Sequence, residues 1–426
     1  MFWYLNKKLV FLFFLMLFFE LLTIFALTRL NSLEIFFRGD GRDYQNLAND
    51  LINHQTFAIT SQPPFLPTSF RTPIYPFWLA FIYLIFQSYN AAIFIGAAIF
   101  VLSAPIVYLI GKEIFPEKIA FLSAVIFAVE PWALFQAGFI AAEQIFMPIF
   151  LFSVYLFCLY LKYGKTSNLH WSSFLLAIAA LIRPIALYFI AILIFLAFIL
   201  EFKKSFWRSL KVSTLAFLMF IAVLSPWFIR NKFVLGTWQF SSASGLSVFN
   251  DYFMLERYLG RIDSKEDIYE KAKQLTGASN DIEAITTVEN SKKLSDFAVK
   301  GILSYPYAFL TMHFLEGVPL FLVGNSYSNI LFDLGLANRG LKIFLFLFWP
   351  FVILLAVWGI YRKFRNNKHD LLLWLLVLWI LYFSFLTASA RDVSRYKLAI
   401  NAPLFMLAVF GFYKIKNYFF GYVPDS

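Results

Sequence analysis

The sequence predicts an all-α, polytopic membrane protein of about ten transmembrane helices, with further helices lying along one membrane face. Three observations carry that prediction. Of 426 residues, 61% are hydrophobic and only 14% charged, and the mean hydropathy is +0.71, more apolar surface than a soluble chain of this length could bury. The apolar runs are long and continuous rather than short and alternating, which excludes a β-barrel. The basic residues collect in short turns, whereas the acids collect in the longer loops, the asymmetry expected of cytoplasmic and outer segments. The net charge of +11 is therefore read as membrane topology, not nucleic-acid binding. The single cysteine, Cys158, lies in an apolar run, so neither an internal disulfide nor a cysteine metal site is available.

The elements follow in order. Lys7 and Lys8 anchor an uncleaved first span, Leu9–Leu27, running from inside to outside. A polar outer loop follows, residues 30–76, rich in proline at its end. Within it Tyr44, Leu47, Ala48, Leu51 and Ile52 recur at helical spacing, which predicts a helix lying on the membrane surface. Ile74–Phe86 is apolar but short, suited to dipping into the interface. Ala91–Ile110, Ile119–Phe135 and Ile145–Leu161 are the next spans. Trp171–Ile182 and Ile185–Leu200 form a hairpin broken at Arg183–Pro184, because proline ends or kinks a helix. Val212–Ile229 closes a catalytic transmembrane module, residues 1–230.

Residues 231–340 are read as an extracytoplasmic loop region, and its first part, roughly Asn231–Tyr305, is the longest polar stretch of the chain. Gly236, Ser241, Ser242, Ser244 and Gly245 mark its first part as loop, and Ser264–Lys300 carries mixed charges that suit surface helix. Pro306–Val323 is apolar but contains His313, Glu316 and Pro319. Were it to span, the basic cluster at Arg362–Lys368 would fall outside, so an interfacial or re-entrant segment is expected. Residues 341–426 add the spans Leu341–Tyr361, Leu371–Thr387 and Pro403–Phe419. Both termini then lie inside, and the polar loops face out.

The residues with chemistry to offer gather in the outer segments. Asp40 and Asp43 open the predicted surface helix. Either they cap it and favour its dipole, or a partly desolvated carboxylate serves there as a base; the two roles are compatible. Glu143 lies at the outer end of a span, and Glu130, before Pro131, suits a structural role. Arg183 interrupts an apolar hairpin, where an arginine costs roughly 2.5–3.5 kcal/mol at the bilayer centre. It either snorkels to the interface or grips a phosphate with its fork of donors. Arg391, Arg395 and Lys397 form a second basic group against the positive-inside pattern, with Arg71, Arg230 and Asn231 as weaker members of that set. A divalent cation held by oxygen ligands is an open expectation, with Asp40, Glu143 and His313 as the residues that could hold it, though no ligand spacing demands one. No glycine-rich nucleotide motif precedes a helix.

In this order the segments resemble a known family. GDGRDYQNLANDL and FRTPIYPFWLAF in the first outer loop, AAEQIFMPIFLF around Glu143, LIRP at Arg183–Pro184, PWFIRNKFVLGTWQFSSASGLSVFN before the long loop and SRYKLAINAP near the C-terminus are similar to GT-C-type integral-membrane glycosyltransferases. The likeness is to the bacterial dolichyl-phosphate-mannose–protein mannosyltransferase-like and aminoarabinose transferase-like group. The resemblance implies transfer of a sugar from a polyprenyl-phosphate donor to a hydroxyl on lipid, glycan or protein, at the outer face of the plasma membrane, with inversion. It places the general base on Asp40 with Tyr44 four residues on, the second acid on Glu143 near the donor and any metal, and the donor phosphate on Arg183 and Arg395. The departure is Gly41, where many relatives carry an acid; Asp43 is the residue that could stand in. The long soluble domain of some relatives is missing, so acceptor recognition falls to Asn231–Tyr305. The competing class is a transporter or lipid-linked sugar flippase. Against it, the polar residues gather in outer loops, and no repeated halves or paired broken helices are visible.

Overall fold

The computed structural model describes residues 7–31, 33–58, 63, 65–262, 267–279, 285–323, 339–387 and 393–420. No strand occurs among them, only an isolated bridge between Ala58 and Pro67. Among the described residues, eight helices are long and apolar enough to cross a membrane, a ninth results if a bent pair is one span, and shorter apolar helices accompany them. The chain is a polytopic helical membrane protein.

The first span, α1 (Lys7–Asn31), leads to the surface helix α2 (Asp40–His54) and the short apolar α3 (Ile74–Phe86). The predicted stripe of α2 is the buried one, with Tyr44, Leu47 and Ala48 inward. α4 (Asn90–Phe100) and α5 (Ser103–Ile114) make one span. The next predicted span breaks into α6 (Glu117–Ala128) and α7 (Pro131–Gly138), bent by 52°. The break falls where Glu130, extended ahead of Pro131, caps α7 by accepting from the Ala133 amide at 2.7 Å. α8 (Glu143–Tyr163) and α9 (Thr166–Ile182) follow, and the chain breaks at Arg183 as expected. A 3₁₀ segment, Pro184–Phe189, then enters α10 (Ile190–Phe202), and α11 (Phe206–Leu235) crosses back.

The long polar region is more helical than its serines and glycines suggest. α12 (Ala243–Tyr258), α13 (Ile268–Thr276) and α14 (Val288–Ser304) pack around a small core of their own, made of Phe249, Phe253, Ile268, Ala272, Leu294 and Ala298. Gly245 allows this, because a Cβ there would collide with Ser291 on α14. α15 (Pro306–Val323) is continuous through a π-wound turn at Met312–Gly317. α16 (Arg339–Asn366), α17 (Leu371–Thr387) and α18 (Val393–Phe420) complete the bundle. The last helix begins ten residues before the predicted span at Pro403. A proline inside an apolar helix is tolerated where neighbouring helices cover the break, so SRYKLAINAP is helix inside the bundle rather than an outer basic loop.

The two ends of the bundle differ. At one end Lys8 pairs with Glu117 at 2.8 Å, Lys162 with Glu113 at 3.0 Å and Lys363 with Asp370 at 3.1 Å, while Lys204 and Arg208 hold Glu201. The Lys363 ammonium also donates to the Ile114 carbonyl at 3.0 Å, which fixes the C-terminal end of α16 at this face. The start of α16 therefore lies at the opposite face, where α12–α14 also sit.

Two consequences can be tested. Gly359 and Gly411 face each other where α16 crosses α18, and a Cβ on Gly411 would strike the Leu355 carbonyl oxygen. Gly411→Val is expected to cost about 1–3 kcal/mol or more and to lower the melting temperature of the solubilised protein; an unchanged melting temperature would refute the close crossing. On α2, Asp50 is buried and its Oδ2 meets no donor. Burial pushes its pKa above the ordinary 3.8, with His54 opposing. A raised carboxyl pKa in the folded state means that stability falls as pH rises from 3.8 through the raised value. Asp50→Asn should flatten that limb of the stability–pH curve and be at least as stable as wild type at neutral pH.

Candidate active site

The site forms where the first loop, the α9 break and the polar helices meet. A cavity of about 460 Å³ opens there. The first loop contributes Asp40, Tyr44, Phe70, Arg71 and Thr72; the helix break contributes Arg183, Pro184, Ile185 and Tyr188. Leu386, Thr387 and Tyr396 come from α17 and α18, and the roof of α12 and α13 supplies Ser247, Asn250, Asp251 and Tyr269.

Asp40 is the first residue of α2, and Gly39, at φ +62°, precedes it as the cap residue. The two carboxylates of the first turn converge on one cation. Arg71 binds Asp40 through two donors, at 2.7 and 3.2 Å, and reaches Asp43 at 2.7 Å. Its guanidinium also lies over the rings of Phe70 and Tyr44, 4.8 and 5.3 Å from the centroids. Burial works against the charge on Arg71, but Asp40, Tyr44 and Asp43 outweigh it and hold its pKa above the ordinary value. A Cβ at Gly41 would approach the Ile140 carbonyl oxygen to 3.1 Å, a tight contact. Asp43 is the other acid in the first turn of α2.

Arg183 has its own partner. The residue before Pro184 is extended, with φ −142° and ψ 122°, so the side chain leaves the helix axis at the membrane edge. Its guanidinium forms an ion pair with Glu143 and lies over Tyr396 at 5.2 Å and Phe146 at 5.7 Å. The Glu143 side chain is 1% exposed and that of Arg183 11%. Glu143 does not line the large cavity. It lies behind Arg183, in a pinched side pocket with Phe146, Met147 and Tyr396. The Thr72 hydroxyl donates to the Ile182 carbonyl at 2.8 Å and ties the first loop to this break.

Other predicted residues lie elsewhere. Lys397 is buried 3.6 Å from the Trp349 ring centroid, on the side of Glu130, and does not line the cavity. Its place on a helix inside the bundle, rather than on an outer loop, accounts for this. Arg391 lies outside the described residues, as does the side chain of Arg395. Arg230 donates to the Thr68 carbonyl at 2.8 Å, and Asn231 donates to the Gln239 carbonyl at 2.9 Å. Arg230 ties the end of α11 to the first loop, Asn231 ties it to the chain leading into α12, and neither lines the cavity. His313 bonds the Phe385 carbonyl at 2.7 Å and is buried, while Glu316 is exposed. Asp40, Glu143 and His313 do not converge, and among the described residues no group of three His, Cys, Asp or Glu could hold a metal ion.

Sequence reading missed Tyr188, Tyr396 and the roof residues. The one available signal was the spacing of Ser247, Asn250 and Asp251, a polar face at i, i+3 and i+4 inside a stretch read as loop.

The Arg183–Glu143 pair generates a prediction. Removing one partner of a buried ion pair leaves an uncompensated charge, at about 3–5 kcal/mol, whereas replacing both by apolar residues costs less. Glu143→Ala should therefore lower the melting temperature more than the double variant Glu143→Leu/Arg183→Met does. Additive losses would refute the coupling.

Comparison with known proteins places these features. Residues 70–229 match the family model described as dolichyl-phosphate-mannose-protein mannosyltransferase, a span that includes Arg71, Glu143 and Arg183. No curated protein matches the sequence. The fold is similar to that of archaeal oligosaccharyltransferase AglB from Archaeoglobus fulgidus, solved in complex with an inhibitory peptide and a dolichol-phosphate, with a TM-score of 0.55 and 13% identity. The similarity covers 98% of this chain and 52% of AglB, so the chain spans about half the length of that protein. The resemblance to GT-C-type membrane glycosyltransferases read from the sequence is thus borne out, by the family model over residues 70–229 and by fold along nearly the whole chain.

Proposed function

We propose that this protein transfers a glycosyl group from a polyprenyl-phosphate-linked sugar to a hydroxyl acceptor at the extracytoplasmic face of the plasma membrane. The observation that carries the reading is a cavity lined by the carboxylates Asp40 and Asp251 and by two guanidiniums, Arg71 and Arg183. The basic far end of the bundle supports a cytoplasmic placement of both termini and an outer placement of the cavity.

The chemistry follows from the residues. The sugar's anomeric carbon loses a lipid phosphate as leaving group, and a cation near that phosphate stabilises the charge that develops. Arg183 suits this role, since it lines the cavity while Glu143 pairs with it from the side pocket. Arg395 is the further residue that the resemblance assigns to the phosphate. The acceptor hydroxyl loses its proton as its oxygen attacks the anomeric carbon from the side opposite the phosphate, which inverts the configuration. Asp40 would take that proton. Arg71 already bonds both Asp40 oxygens, so the acceptor hydroxyl uses a remaining lone pair or displaces one Arg71 donor. Asp43 keeps Arg71 neutralised while this happens. The lipid tail leaves the cavity past Ile185, Tyr188 and Leu386, where the wall is apolar.

The test is sugar transfer by purified protein, with a panel of radiolabelled polyprenyl-phosphate sugars. Asp40→Asn is expected to bind the donor that wild type uses and to lose about 10²–10⁴-fold in turnover, the range for removal of a general base. Equal turnover would assign the base elsewhere, and a wild type that consumes no donor while moving one across a bilayer would favour the flippase reading. Arg183→Lys is expected to weaken donor binding as Arg183→Ala does, because a single ammonium cannot keep both the Glu143 and the phosphate contacts.

A further inference from the structure

We propose that the inner face of the roof, Ser247, Asn250 and Asp251 of α12 with Tyr269 of α13, is the subsite that reads the hydroxyl groups of the donor's sugar. The inference rests on the transferase reading and adds to it the residues that select which glycosyl group is transferred.

The first support is the construction of α12. Phe249 and Phe253 are buried in the roof's own core, whereas Ser247, Asn250 and Asp251 line the cavity at i, i+3 and i+4. A helix needs no such polar face toward a cavity in order to fold. The second support is the chemistry of the set. A sugar presents hydroxyls that both donate and accept, and an aliphatic C–H face. Asn250 offers donors and an acceptor, Asp251 offers acceptors, and Ser247 keeps acceptor lone pairs while its hydroxyl donates to the Ala243 carbonyl at 3.1 Å. Tyr269 adds a ring, 38% exposed, against which a C–H face can pack. Asp267 fixes that residue by accepting from its amide at 2.8 Å.

The third support is the direction set by the lipid. The tail belongs in the bundle, and Arg183 lies at the bundle's edge. A phosphate held there carries its sugar away from the membrane, toward the roof. The roof is also placed firmly. The Ser242 amide donates to the Ser69 carbonyl at 3.2 Å, the Ser242 hydroxyl to the Thr286 carbonyl at 2.8 Å and the Ser241 hydroxyl to the Phe70 carbonyl at 2.9 Å. These bonds join the start of α12 to the loop that carries Arg71.

The experiment measures equilibrium binding by the full chain in detergent. The probes are bare polyprenyl monophosphate and polyprenyl phosphates carrying mannose, glucose or galactose. Wild type is expected to bind one glycosylated lipid at least about tenfold more tightly than the bare lipid, a ratio that one or two hydroxyl contacts supply. Asn250→Ala and Asp251→Ala should each reduce that ratio about fivefold or more while leaving bare-lipid affinity unchanged. The isosteric Asn250→Asp and Asp251→Asn, which keep the helix intact, should alter which sugar is preferred. An unchanged ratio in all four variants overturns the inference, including the case in which only the acceptor KM rises, since the roof would then read the acceptor. A wild type without any sugar preference overturns it as well. Failure of the transferase reading is a separate result: wild type then does not bind bare polyprenyl monophosphate, and Arg183→Ala changes nothing.

Discussion

The buried pair of Arg183 and Glu143 organises the functional end of this protein. An arginine in apolar surroundings is tolerable only when it is compensated, and the compensating acid here is itself almost wholly buried. That requirement joins α8, which carries Glu143, to the break after α9, which carries Arg183. Tyr396 on α18 covers the guanidinium, and Thr72 holds the backbone at Ile182. Four separate stretches of chain therefore meet at one point, and the cavity opens beside it. Arg183 lines that cavity, whereas Glu143 lies behind it in the side pocket.

The second cation of the cavity is balanced differently. Arg71 is shared by Asp40 and Asp43, and two aromatic rings flank it. A shared guanidinium fixes the orientation of both carboxylates before any substrate arrives, which is the sense in which a site is preorganised. The arrangement also constrains chemistry. A carboxylate with both oxygens engaged can act on an incoming hydroxyl only by using a remaining lone pair or by shifting its partner. Asp43 makes such a shift tolerable, because Arg71 never loses all of its negative neighbours.

The roof is a third structural unit. Its helices bury a small core of their own, and hydrogen bonds from the Ser241 hydroxyl and the Ser242 amide join it to the first loop. Arg230 and Asn231 serve the same attachment from the end of α11. Residues that looked like substrate contacts in the sequence are thus the hinge pins of the roof, and the residues that face the cavity lie further along the chain.

The sequence by itself determined the membrane class, the order of the spans, the break at Arg183–Pro184 and the amphipathic helix beginning at Asp40. Each of these follows from hydropathy, proline stereochemistry or helical periodicity, which are local properties. The extent of the last helix was misjudged because Pro403 reads locally as a start, whereas packing against neighbours lets a helix run through it. The helix α12 was hidden because serine and glycine signal a loop until Gly245 is seen to pack against Ser291. Only the tertiary structure decided which cation meets which acid. Asp40 and Arg71 are separated by 31 residues, Glu143 and Arg183 by 40, and the buried Lys397 lies near Glu130 across the bundle. Pairing at such separations is fixed by how helices pack and by the cost of leaving a buried charge unpaired, and no local pattern encodes either.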